Sequence, residues 1–292
     1  MRWRGMRRSS NVEDRRGSRI GLPIPLPLGG RQAGVGGIGG LILLLFVAWI
    51  FGISPLELLS GVEGTYVGPD GMPAEQSPEE EEQAEFVAAV LGDTEDTWTE
   101  VFASEGKDYP EPTLVMFTSQ VRSACGFASA ASGPFYCPLD EKVYIDLAFY
   151  DELKRRFAAP GDFAQAYVVA HEVGHHIQNL LGILPELDRA RQRLSETDAN
   201  RLSVRIELQA DCFAGVWAHF TERKDLLEEG DIDEALNAAQ QIGDDAIQKR
   251  MQGYVVPETF NHGTSAQRQS WFRRGYESGA LEACDTLSVD QI

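Results

Sequence analysis

The chain has 292 residues, 43% of them hydrophobic, and carries 45 acidic against 26 basic side chains for a formal net charge of −19. That size suits one or two folded units with a sizeable core, and the acidic balance excludes a generally nucleic-acid-binding surface. The charge is uneven: residues 1–31 hold eight Arg against Glu13 and Asp14, so this arm is +6 and the remainder −25.

After the arm, taken as residues 1–32, comes an uncharged stretch from Ala33 to Leu56 centred on Gly39-Gly-Leu-Ile-Leu-Leu-Leu-Phe-Val-Ala-Trp-Ile-Phe51. About 20 apolar residues cross a bilayer, so a transmembrane helix is expected over 33–56. No small-x-small cleavage site follows at Ile53-Ser-Pro-Leu56, which favours an uncleaved anchor over a signal peptide. All eight Arg precede the span, and no Lys or Arg follows it until Lys107. The positive-inside rule then places the N-terminus in the cytoplasm and the bulk of the chain outside. Residues 57–85, with Pro69-Asp-Gly-Met-Pro73 and the acidic run Glu79 to Glu82, read as a flexible acidic linker. The folded domain is expected over 86–292.

Within it, Phe86, Val87, Val90, Leu91, Trp98, Val101 and Phe102 have helical spacing. Thr113 to Thr118 reads as a buried strand, Phe135 to Asp140 and Lys142 to Asp146 as two short strands around a turn, and Phe149 to Phe157 as a return to helix. Cys125 and Cys137 bracket a short Gly/Ala/Ser-rich loop and are expected to pair, leaving Cys212 to pair with Cys284. Four cysteines allow three pairings, and a thiolate metal ligand at Cys212 is the rival reading.

The stretch Ala166 to Leu181 predicts a helix, with apolar residues at Val168, Val169, Val173, Ile177, Leu180 and Leu181 and a stop at Gly182. At about 100° per residue, His171 and His175 lie on one face a turn apart, where two imidazoles can converge on one metal ion. Glu172 beside them is placed to act as a general base that later returns its proton to a leaving amine. His176 points away from that face. A catalytic zinc site usually needs a third protein ligand. The next strong helical pattern, Val204 to Phe220, offers Glu207, with Asp211 one turn further to accept the outward N–H of a ligating His. His219 lies three turns beyond Glu207.

Pro185 to Arg201 is polar and undecided between surface helix, lid and substrate-entry segment. Asp231 to Ile242 and a short segment from Asp244 read as helices. Thr264 and Gln267 fit a capping box that opens a helix running on Trp271, Phe272 and Tyr276.

The HExxH pattern followed by a separate ExxxD helix resembles the glutamate-ligated zincin metallopeptidases. The wording His171-Glu-Val-Gly-His-His176 with Glu207-Leu-Gln-Ala-Asp-Cys-Phe-Ala-Gly215 is similar to the putative neutral zinc metallopeptidase family of bacterial membrane proteins. The resemblance extends to Met1-Arg-Trp-Arg4, Asn11 to Gly17 and Asn261-His-Gly-Thr-Ser265. It implies an α+β, zincin-like domain, mostly helical with a small sheet, preceded by one transmembrane helix. It further implies one Zn²⁺ on His171, His175 and Glu207, a substrate laid along an edge strand at Gly133 to Tyr136 or Val143 to Asp146, and an oxyanion-stabilising side chain. His262 is the candidate for that last role and Tyr254 the reserve. The expected activity is hydrolysis of peptide or protein substrates outside the cytoplasmic membrane, with no nucleic-acid partner. The alternative is a non-catalytic zinc-containing envelope binding or scaffold protein; Glu172 beside an open coordination position speaks against it.

Overall fold

The computed structural model describes residues 1–17, 76–129 and 133–289. The span expected over 33–56 lies outside them; among the described residues no helix is long and apolar enough to cross a membrane. The helices are α1 Pro78–Ser104, α2 Ala148–Arg155, α3 Asp162–Leu180, α4 Ile183–Arg191, α5 Glu196–Arg223, α6 Asp231–Gln241, α7 Asp244–Gln252 and α8 Ser265–Ser278. The strands are β1 Val12–Asp14, β2 Thr113–Phe117, β3 Gln120–Ser123, β4 Gly126–Ser129, β5 Phe135–Cys137 and β6 Lys142–Asp146. The fold is α+β and mostly helical, with a small mixed sheet, as the sequence pattern indicates.

Two boundaries differ from the sequence reading. The acid-rich stretch read as linker is already helical from Pro78. Ser77 accepts from the Glu80 amide and the Glu80 carboxylate accepts from the Ser77 amide, a reciprocal cap with Pro at the first helical position. The Arg-rich arm, read as separate, belongs through Arg16 to the same compact unit as residues 77–292. Its strand β1 pairs in parallel with β2, Glu13 opposite Val115.

The main sheet has the order β1-β2-β6-β5, parallel except for the antiparallel β5 beside β6. Of the two stretches proposed as the substrate edge, β6 is therefore interior, and Phe135 and Tyr136 stand on the edge strand. The hairpin β3–β4 is a separate two-stranded ribbon. The Cys125–Cys137 disulfide ties its turn to β5.

Helix α3 is the central element. Phe163, Tyr167, Val169, Val173 and Ile177 are all fully buried. They lie among α1, α5, α6 and the sheet. Phe163 stacks on Trp217 of α5 at 5.4 Å, and Trp98 of α1 meets Phe213 of α5 edge-on at 5.7 Å. The closest crossing joins α5 and α8. A Cβ on Gly275 would lie 1.9 Å from the Cys212 carbonyl oxygen, and one on Gly215 would lie 2.0 Å from that of Phe272. Both obstacles are backbone, so only glycine permits this approach. The second disulfide, Cys212–Cys284, pins the C-terminal turn to the same face of α5.

Because backbone cannot move aside cheaply, Gly275→Ala is expected to lower stability by about 2–3 kcal/mol, read from the denaturant midpoint. Gly5→Ala, where nothing lies within 4 Å of the new methyl, should change it by under about 0.5 kcal/mol. Equal midpoints for the two variants would contradict the packing described.

Candidate metal centre

The α3 helix starts where Glu234 of α6 accepts the Phe163 amide, and its one-turn spacing brings His171 and His175 to the same face. Glu207 reaches them from α5: its carboxylate lies 3.2 Å from His171 Nε2 and 3.5 Å from His175 Nε2. One ligand atom from each of the three lies within 4.8 Å of the others, so the sequence-expected set is brought together. Two imidazole nitrogens and a carboxylate oxygen are a donor set suited to zinc.

Each histidine is oriented from behind. His171 Nδ1 donates to Asp211 at 2.8 Å. A carboxylate only accepts, so the proton is fixed on Nδ1 and Nε2 faces Glu207. His175 Nδ1 lies 2.8 Å from Gln178 Oε1. The Gln178 amide nitrogen donates to the Ile206 carbonyl at 2.7 Å and to Gln209 Oε1 at 3.1 Å, and Gln209 donates in turn to the Cys284 carbonyl at 3.0 Å. Two carbonyls that can only accept thus settle both amide orientations, and Gln178 presents its oxygen to His175.

Asp211 is fully buried and also takes Arg268 on both oxygens, at 2.8 and 2.9 Å, and the hydroxyl of Tyr167. Burial opposes its charge, but Arg268 and His171 outweigh it and hold its pKa down to about 2. Burial likewise opposes ionisation of Glu207, and the imidazoles of His175 and His171 outweigh it, so the carboxyl lies well below its usual range. For His171, burial disfavours the cation, while Asp211 and Glu207 raise its pKa to about 10.

His171, His175, Glu207, Tyr167 and Arg268 line a cleft of about 680 Å³, within the ordinary range for ligand sites. Glu172 also lines it; its carboxylate is largely buried, and no hydrogen bond or ion pair engages it among the described residues. His262 enters the same cleft with its side chain about half exposed. It is held through Nδ1 at 3.1 Å by Asp244, whose other oxygen accepts the amides of Asn261, His262 and Gly263 at 2.7–2.9 Å. Burial opposes protonation of His262, but the hydrogen bond to Asp244 and the charges of Glu207 and Asp244 together outweigh it and raise the pKa. Tyr254 is 62% exposed and takes no part in the cleft lining.

His176 is buried and away from the ligand set. Its Nε2–H donates to the Pro110 carbonyl at 2.7 Å, so Nδ1 accepts from the Tyr136 hydroxyl at 3.0 Å, joining α3 to the edge strand. Burial lowers its pKa, which favours the neutral form. His219 bonds the Tyr276 carbonyl at 2.8 Å and is structural. Cys212 is disulfide-bonded and is not a thiolate ligand. A second acidic group is Asp162, Asp231 and Glu234; the amine of Met1 lies 2.8 Å from Asp162 and 3.3 Å from both Asp231 and Glu228.

The sequence reading missed Gln178, Tyr167 and Arg268. Arg268 had a signal: it falls on the buried stripe of α8 with Trp271, Phe272 and Gly275, where an arginine needs a buried partner.

The site is therefore a His₂Glu group on two helices that could hold a metal ion, with a carboxylate and a histidine facing one cleft. The chain belongs to the family described as "Putative neutral zinc metallopeptidase", which it matches over residues 1–287. It is 50% identical over 287 residues to "Uncharacterized protein YpfJ" of Escherichia coli (strain K12), covering 98% of this chain and 99% of that one. It is also 43% identical over 195 residues to "Uncharacterized protein Rv2575" of Mycobacterium tuberculosis (strain H37Rv), covering 63% of this chain and 65% of that one. No solved structure matches it significantly.

Because Gln178 and Asp211 fix the imidazoles, Gln178→Leu and Asp211→Asn should each weaken zinc binding by about 10–100-fold, measured by chelator competition. Unchanged affinity in both variants would show that the ligands need no such support. Arg268→Met leaves the Asp211 charge buried without its cation and is expected to cost about 3–5 kcal/mol of stability, seen as a lower unfolding midpoint.

Proposed function

We propose that the protein is a zinc-dependent endopeptidase that hydrolyses peptide bonds in protein substrates outside the cytoplasmic membrane. The observation that carries this reading is Glu172: a largely buried carboxylate that faces the cleft beside the ligand set and has no protein partner among the described residues. A structural metal site has no use for it. His171, His175 and Glu207 would hold the zinc, which when bound polarises a carbonyl oxygen and makes water more acidic.

The chain's own residues supply the rest. Glu172 takes the proton of the attacking water and passes it to the departing amine nitrogen, so the acid and base steps use one group. Asp211 and Gln178 keep the two imidazoles in the tautomer that presents Nε2. His262, oriented by Asp244, whose carboxylate favours the imidazolium form, offers an N–H to the carbonyl oxygen as negative charge develops there. The edge strand at Phe135 and Tyr136 lines the same cleft and has free backbone groups on which an extended peptide can lie. Phe149, Phe157, Ile242 and Ile247 make the cleft walls apolar, which favours large apolar side chains near the scissile bond. The two disulfides support an oxidising compartment for this body.

The test uses the full-length protein loaded with zinc and an unfolded protein substrate. Glu172→Gln should keep one zinc per chain while cleavage falls by about 10²–10⁴-fold. His262→Ala should lower kcat by about 10²-fold with little change in KM. Full activity in Glu172→Gln, or no cleavage by the zinc-loaded parent protein, would sink the proposal.

A further inference from the structure

Residues 1–16 of the Arg-rich arm run in contact with the body that carries the candidate site. Trp3 is buried edge-on against Phe86 of α1 at 5.5 Å, and the Ser9 amide donates to the Ala88 carbonyl at 2.9 Å. The β1 pairing is closed at both ends by Leu114 N to Asn11 O and Arg15 N to Met116 O, each 2.8 Å. Where Arg7 crosses α1 the helix carries Gly92, and a Cβ there would lie 2.7 Å from the Arg7 carbonyl oxygen.

The arginines are matched to acids of the body. Arg2 pairs with Asp225, Arg4 with Glu82, Arg8 with Glu85, and Arg16 with Glu81 at 3.1 Å. Arg7 takes Glu95 and Asp96, both at 2.8 Å. Exposed pairs of this kind contribute little individually, but Glu95 is 1% exposed and the hydrogen bonds to its carboxylate come from Arg7, Ser9 and Asn11 of the arm. Without the arm this carboxylate is a buried charge with no partner, and the β2 edge is bare. The arm is thus part of the fold.

Its exit point decides the topology. Arg16 donates to the Glu80 carbonyl at 3.0 Å, so the chain leaves and re-enters the body at the same place. A connection that crosses a bilayer once separates its two ends by about 30 Å of hydrocarbon, whereas paired strands lie about 4.8 Å apart. We infer that residues 1–16 and 77–289 form one folded body on one side of the membrane. Arg4, Arg7, Arg8 and Arg16 are complements to acids of α1, and their position before the apolar stretch is not a cytoplasmic retention signal. A cytoplasmic arm with an outside catalytic domain is incompatible with this packing.

The test is cysteine labelling of the full-length protein in intact and lysed spheroplasts with a membrane-impermeant maleimide. All four native cysteines are paired, so an added thiol is read against the parent protein. Ser10→Cys reports on the exposed arm and Ala103→Cys on the exposed end of α1. The ratio of labelling before and after lysis should agree for the two within about twofold. If one position labels in intact spheroplasts and the other only after lysis, the inference is overturned. Trypsin provides a second reading on the purified protein. Cleavage after Arg7 and Arg8 should be slow in the parent and at least tenfold faster in Gly92→Leu, which displaces the arm. Immediate cleavage there in the folded parent would also overturn it.

Discussion

The arrangement depends on one buried carboxylate. Asp211 has no exposed surface and receives the His171 imidazole, the Tyr167 hydroxyl and two N–H groups, Nε and Nη2, of the Arg268 guanidinium. Those donors come from α3 and α8, while Asp211 itself sits on α5. A single group therefore joins three helices and sets the tautomer of a metal ligand. Such a charge is tolerable because four donors reach it, two of them from a guanidinium cation. The Gly215 and Gly275 contact beneath it follows from the same need, since Arg268 reaches Asp211 only if α8 lies directly against the backbone of α5.

The second imidazole is supported by different chemistry. His175 rests on an amide chain, Gln178 to Gln209 to the Cys284 carbonyl, so the segment held by the Cys212–Cys284 disulfide ends at the metal site. His176, next in sequence, faces the opposite way and holds Tyr136 of the edge strand. The stretch His171 to His176 of α3 thus carries both imidazoles of the candidate metal group, the cleft-lining Glu172 and the histidine that holds the edge strand.

Much of this was legible in the sequence because it is local. The HExxH spacing, the Glu207 and Asp211 pair and the Thr264 and Gln267 cap are each consequences of helical periodicity, and all stand in the structure. Gln178 and Arg268 were not singled out because their roles depend on partners 31 and 57 residues away. The start of α1 was misread for a different reason: Ser77-Pro-Glu-Glu80 has linker composition, yet it is a helix cap with acids favourably placed at the helix N-terminus. The contacts of the arm were the least legible. An Arg cluster before an apolar run is the usual topology signal, and only the pairing with α1 and β2, across about 60 to 100 residues of chain, shows what those charges meet.

The most direct test of the metal centre is X-ray absorption at the zinc edge on the full-length, zinc-loaded protein. The account predicts one zinc per chain with two imidazole nitrogens at about 2.0–2.1 Å, the remaining ligands oxygen, and no sulfur. A sulfur shell near 2.3 Å, or an imidazole count unchanged when His175 is replaced by Ala, would contradict it.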